Sequence, residues 1–350
     1  MTASSPAPAS AQSQGQGQNH GQNQGQGAGL AAGLAAVVMW GLAPVATRAL
    51  VGHLAPLPLL VLRIGLSGLV LLPWCAHRLI RMRRGETARL SRGDLARLTA
   101  AGLLCMVGYN LPVTVGLQWV PASTAALILA TEPVWILALG RIFLRTPVPP
   151  LCWAGAALAL GGIAVLAGPE AAVAAATGRA LAGTCLVLLG TALFGAYTLV
   201  LRPLAAELGG GTAAAYSTVA GAIPYLALAW LIPAAAPLST LPAAAWAELG
   251  FLALGCTVAG LAAWSIAVAR SGSARAGLLL YLEPVVGVAG AVALLGEQLS
   301  AAMAAGGALI MAGVATAWLA QRRALATAAV PAPDGPARRR SWPPGRPGRR

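Results

Sequence analysis

Read for its apolar positions, the chain alternates long hydrophobic stretches with short polar breaks. Ten stretches reach the length that carries a helix across a bilayer, about 20 apolar residues for about 30 Å of hydrocarbon: 30–50, 57–76, 98–117, 122–141, 150–168, 181–201, 213–234, 247–268, 274–295 and 300–320. None shows the strict period-two alternation of a membrane barrel strand. The pattern predicts an all-α membrane protein crossing ten times. The flanking segments differ. Residues 1–29 repeat Gln, Gly and Asn, residues 321–350 are rich in Pro and Arg, and both read as disordered tails. No basic segment precedes the first apolar run, which therefore reads as a retained span rather than a signal peptide.

Composition agrees. The chain is 58% hydrophobic and 9% charged, too few charges to wet the surface of a soluble domain. Its net charge of +14 alone would suit a nucleic-acid binder, but the distribution does not. Every one of the 23 basic residues is Arg. With the N-terminus placed in the cytoplasm, twenty Arg fall in inner loops and the tail, and Arg179 alone falls in an outer loop. Arg48 and Arg63 lie within stretches. This is a positive-inside distribution, and it predicts a multi-pass protein of the cytoplasmic membrane with both termini inside. Cys75, Cys105, Cys152, Cys185 and Cys256 fall in apolar stretches without metal-ligand spacing and read as small buried hydrophobes. No metal, cofactor or nucleic-acid partner is expected.

The chain also repeats itself. A slide of 151 residues lays Glu132-Pro133-Val134 on Glu283-Pro284-Val285, and 17 of 62 positions from 103 to 164 are identical. That is roughly twice what shared Ala, Leu and Gly would give. A slide of 154 lays Trp40 on Phe194 and Arg48 on Arg202. The repeats are 30–168 and 181–320, five stretches each. Five is odd, so the second copy enters the membrane upside down, as in secondary transporters with inverted repeats.

Several segments carry a family resemblance: "MWGLAPVATRAL", "LRIGLSGLVLLP", "GLLCMVGYNLPVTVGLQWVPASTAALILATEPVW" and "LLYLEPVVGVAGAVALLGEQLSAAMAAGGALIMAGV". In this order, across about 30–320, they resemble the drug/metabolite transporter superfamily, specifically proteins with two EamA domains. The resemblance implies export or import of small organic solutes, often amino acids or other metabolites, usually without ATP, on a 5+5 inverted fold; export is the expected direction. One position departs from the family pattern: Thr146 stands where the second copy has Glu297.

Candidate chemistry centres on Glu132 and Glu283, each about halfway along its stretch. A carboxylate at that depth costs on the order of a few kcal/mol. Either the pair lines a wet cavity, carrying a proton or meeting a cationic group, or each is a hydrogen-bonded packing element. Pro44, Pro112, Pro133 and Pro284 each free a carbonyl four residues back and are candidate helix breaks. Trp40, Tyr109, Asn110, Trp264 and Tyr281 are candidate cavity walls, with packed or lipid-facing aromatics as the other reading. Arg63 is expected to snorkel to the outer interface, or else to pair with Glu132 or an anionic solute. Arg48 reads as an interface anchor. Glu297 is expected to cap the tenth stretch. Gly155, Gly162, Gly306 and Gly313 read as close packing.

A permease moving a small molecule by alternating access, with protons as a candidate coupling ion, fits these features. A non-transporting sensor or scaffold is the alternative. A membrane-embedded enzyme fits less well, because the acids are scattered singly.

Overall fold

The computed structural model describes residues 27–85, 90–145, 147–174, 179–231 and 238–329. Most of both expected tails, and Thr146, lie outside them. Inside hydrocarbon no water can satisfy a peptide group, so each crossing closes its own hydrogen bonds as a helix. The described residues form ten helical units and no strand: α1 (Gly27–Leu50), α2 (Pro56–Arg83), α3 (Arg92–Gly116), α4 (Ala122–Phe143), α5 (Pro150–Ala174), α6 (Arg179–Leu208), α7 (Gly210–Leu231), α8 (Ala243–Ser271), α9 (Ala276–Leu295) and α10 (Ala301–Ala329). Nine are long and apolar enough to span a membrane, and Pro150–Leu166 of α5 is a shorter apolar helix. Local chemistry sets several starts. Ser91 and Asp94 form a reciprocal capping box at α3, and Pro56 opens α2 at a position where its missing N–H costs nothing.

Tertiary contacts reproduce the internal repeat. α5 and α10 pack through glycines. A Cβ on Gly155 would stand 2.5 Å from the Gly313 carbonyl oxygen, and one on Gly162 would stand 2.6 Å from that of Gly306. In the 151 register Gly155 corresponds to Gly306 and Gly162 to Gly313, so each contact is the image of the other. The pairing runs 155 to 313 and 162 to 306, which makes the helices antiparallel. α2 and α7 cross in the same way: Gly68 faces Ala222, and the Trp74 and Tyr216 rings lie 6.3 Å apart. Helices that correspond between copies and touch antiparallel require a two-fold axis in the membrane plane, which is an inverted repeat. Further pairs obey it. Gly102 of α3 abuts the Gly221 backbone of α7, while their 151- and 154-register images are joined by Ser67 Oγ donating to the Ala253 carbonyl (3.0 Å).

Helical irregularities are repeated as well. α3 carries a π-helical segment at Leu103–Tyr109 and α8 one at Phe251–Ala259. α4 is interrupted at Ala130 and Thr131, and α9 passes through a 3-10 turn at Leu280–Leu282. Each interruption immediately precedes a Glu-Pro pair. Even the turns match. Arg145 has φ 52° and its counterpart Gly296 has φ 67°, the same left-handed conformation held once at steric cost and once without it.

Neighbouring glycines on α5 make opposite predictions. Gly162→Ala pushes a methyl into backbone atoms that cannot rotate away, and a thermal melt in detergent should show a loss of about 1–3 kcal/mol. Gly161→Ala meets nothing within 4 Å. It should hold or raise the midpoint, since Ala is favoured over Gly in a helix by about 0.5–1 kcal/mol.

Candidate functional site

Between the two repeats lies a cavity of about 1540 Å³. Its midsection holds Glu132 from α4 and Glu283 from α9, each the first residue after its helix interruption. The two carboxyl groups lie within each other's electrostatic reach. Trp40, Pro44, Arg63, Tyr109, Asn110, Pro133, Trp264, Tyr281 and Pro284 line the same cavity. Pro112 does not; it is buried in the helical turn after the α3 π-segment. Arg63 opens into the cavity instead of reaching an interface, because Gly65 and Gly68 press that stretch of α2 against α7. Among the described residues, Arg63, Glu132 and Glu283 have no hydrogen bond or ion pair to their side chains. Three ionisable groups therefore face one space without protein partners.

The wall is aromatic on both sides, again by symmetry. Trp40 and Trp264 stack with centroids 5.5 Å apart on the α1–α8 side. Tyr109 and Phe194 lie 5.1 Å apart on the α3–α6 side, with Tyr197 5.3 Å beyond Phe194. Phe194 was legible as the image of Trp40 in the 154 register, whereas Tyr197 had no such signal. The polar backbone is accounted for. Asn110 Nδ2 donates to the Cys105 carbonyl (2.8 Å), Tyr225 to Met106 (3.0 Å), Trp40 Nε1 to Cys256 (2.9 Å) and Thr257 to Leu252 (3.1 Å). These carbonyls belong to the two π-segments, where the shifted register leaves acceptors for side chains.

One end of the cavity is open. Arg202 and the glycines Gly209, Gly210 and Gly211 line its mouth at the Arg-rich end of the molecule. The opposite, Arg-poor end is closed. There Thr47 and Leu117 form the floor, Arg48 donates to the Leu117 carbonyl, and all eight residues of Ala122–Leu129 are buried. The counterpart of that segment in the 151 register, 273–280, leaves Leu278 and Leu280 exposed by 42% and 36%, although Ala276 is buried. The two-fold symmetry is thus broken at this pair of half-helices among the described residues.

Glu297 acts elsewhere than expected. Its carboxylate caps α4, not α10: it accepts from Ala122 N (2.7 Å), from Ser123 N (3.0 Å) and from Ser123 Oγ. The left-handed turn at Gly296 directs the next side chain back across the repeat boundary. The start of α10 is capped instead by Ser300 Oγ, which accepts from Met303 N (3.1 Å). Four of the five cysteines are buried as expected, and Cys185 is exposed. Among the described residues no group of His, Cys, Asp and Glu could hold a metal.

Comparison with known proteins follows the same outline. The model of the EamA-like transporter family matches residues 27–168 and again 181–319. A probable terminal-alkyne amino-acid exporter of Streptantibioticus cattleyicolor is 34% identical over 214 residues, 61% of this chain and 69% of that protein. A probable amino-acid metabolite efflux pump of Salmonella typhimurium is 28% identical over 300 residues, 79% of this chain and 90% of its own. An uncharacterized transporter of Archaeoglobus fulgidus is 24% identical over 278 residues, covering 79% and 94%. A solved crystal structure shares the fold with a TM-score of 0.57 at 22% identity, covering 85% of this chain and 99% of that one.

Two measurements test this geometry. Glu297→Ala leaves three donors at the α4 start without their acceptor and should cost about 1–3 kcal/mol in a thermal melt; Ser123→Ala should cost less, since both backbone donors keep the carboxylate. With the five native cysteines removed, Thr198→Cys should react with an impermeant maleimide only from the Arg-rich side, and Gln118→Cys only from the other. Labelling of both from one side would contradict a cavity closed at the Arg-poor end.

Proposed function

The chain belongs to the EamA-like transporter family, and from that premise we propose that it exports a small zwitterionic, amino-acid-like metabolite by alternating access. The observation that carries this reading is the meeting of Glu132, Glu283 and Arg63 in one cavity without protein partners. A solute with an ammonium and a carboxylate satisfies both charge types, and its side chain packs on Trp40, Trp264, Tyr109 and Phe194. An isolated charge at mid-membrane is expensive, so the site favours a solute that arrives already carrying the complementary charges. The names of the Streptantibioticus and Salmonella relatives, a probable terminal-alkyne amino-acid exporter and a probable amino-acid metabolite efflux pump, support the same class.

Orientation rests on the Arg distribution, which assigns the Arg-rich end and both termini to the cytoplasm. The conformation described is then inward-open. Its outward-open counterpart forms when the halves exchange conformations: the first half of α9 packs inward as Ala122–Leu129 does here, and Ala122–Leu129 swings out. Two carboxyl groups in one wet cavity also supply the means of coupling. Protons entering from outside displace the ammonium group, and the solute re-entering from inside displaces the protons.

Uptake of radiolabelled amino acids into proteoliposomes, with and without a pH gradient, tests this. A zwitterion should be carried better than the corresponding amine or acid alone. Glu132→Gln and Glu283→Gln should each cut gradient-driven flux at least tenfold and abolish its pH dependence. Parent-level flux that keeps its pH dependence in both variants would overturn proton coupling through this pair.

A further inference from the structure

A second cavity, of about 530 Å³, lies at the Arg-poor end beyond the floor of the central one. It is lined by Arg48, Val51, Gly52, Gln118, Trp119 and Arg179. We infer that it is a binding site for a small oxyanion group, a carboxylate or a phosphate. This assignment is independent of the transport reading, because binding is measured without flux.

Three observations carry it. First, twenty of the 23 Arg serve the opposite end, and Arg63 faces the central cavity, so the two remaining here are surplus to any topology signal. They converge in one recess, and among the described residues no acidic side chain lines it. Second, the donors are unspent. Arg48 gives one bond, to the Leu117 carbonyl, and a guanidinium carries five N–H donors. No ion pair or side-chain hydrogen bond engages Arg179, the Gln118 amide or the Trp119 indole N–H among the described residues. Two guanidinium groups in a shared recess repel, and a planar or tetrahedral oxyanion between them removes that repulsion while taking forked hydrogen bonds. Third, the repeat register assigns the site a place on the path. The counterpart of Arg48 is Arg202, which lines the open mouth of the central cavity. Arg48 therefore holds the equivalent position at the closed end, where its hydrogen bond to Leu117 is part of the partition between the two cavities.

Two sources offer the same chemistry: a free oxyanion in the external medium, or the phosphodiester headgroup of an anionic lipid in the outer leaflet. The full chain in phosphatidylcholine nanodiscs is titrated calorimetrically with inorganic phosphate and with acetate. The same chain in neutral detergent is exposed to phosphatidylglycerol and to phosphatidylcholine, and bound lipid is counted by native mass spectrometry. The expected result is one saturable site per chain in at least one arm. Arg179→Gln should weaken it at least tenfold without lowering the thermal midpoint. Arg48→Gln should weaken it similarly, and Arg63→Gln, in the central cavity, should leave it intact. Binding of the soluble ions identifies a free anion as the source; retention of phosphatidylglycerol alone identifies the headgroup. No binding in either arm, or equal binding by Arg179→Gln and the parent, overturns the proposal. Its failure leaves the flux predictions untouched.

Discussion

The structure depends on one constraint: within hydrocarbon, no peptide N–H or C=O can be left to find water. It makes every crossing a helix, and it makes each departure from regular helix informative. The π-segments of α3 and α8 release carbonyls that Asn110, Tyr225, Trp40 and Thr257 take up. The interruptions of α4 and α9 fall immediately before Glu132 and Glu283. Irregular backbone is tolerated here because side chains and a cavity surround it. The elements that define the cavity are therefore the ones that lipid could not have accommodated.

The two-fold relation between the repeats extends to individual contacts. Gly155 and Gly162 meet Gly313 and Gly306 reciprocally. Trp40 and its counterpart Phe194 each pack on a ring of the other repeat, Trp264 of α8 and Tyr109 of α3 respectively. Such pairing gives two conformations of similar packing, each the image of the other, which is what an alternating carrier needs. The departure from symmetry is local. Ala122–Leu129 is buried and pinned by Glu297, whereas the equivalent half of α9 leaves Leu278 and Leu280 exposed. Among the described residues no counterpart of the Glu297 clamp is seen, and the register puts Thr146 at its position. A cap present on one side only is a physical reason for the conformation described to be closed at that end.

Charge divides the molecule into three zones. Arg crowds one end, carboxyl groups and a single guanidinium share the midsection, and a sparse basic recess marks the other end. The two ends carry an Arg from equivalent positions of the repeat, Arg202 and Arg48.

Helix number, the repeat register and Glu132 and Glu283 as the acids of the apolar core, which the structure brings to one cavity, were legible in the sequence, because hydrocarbon thickness fixes span length and a rare acid in an apolar chain stands out. Proline was a weaker guide. Pro44, Pro133 and Pro284 sit at interruptions, yet Pro73, Pro203 and Pro224 lie inside continuous helices. A missing N–H breaks a helix only where neighbouring groups can take the freed carbonyl. Glu297 was misplaced, and Arg63 was left between an interface and the site, for a related reason. Depth along a helix is a one-dimensional quantity, but the face a side chain presents, and the helix its carboxylate reaches, depend on rotation and packing between segments more than a hundred residues apart. Sequence alone settled what must be buried from water and how often the chain crosses. Only tertiary packing decided which ionisable groups share a cavity and which end of it is shut, since both follow from how two nearly equivalent halves lean on one another.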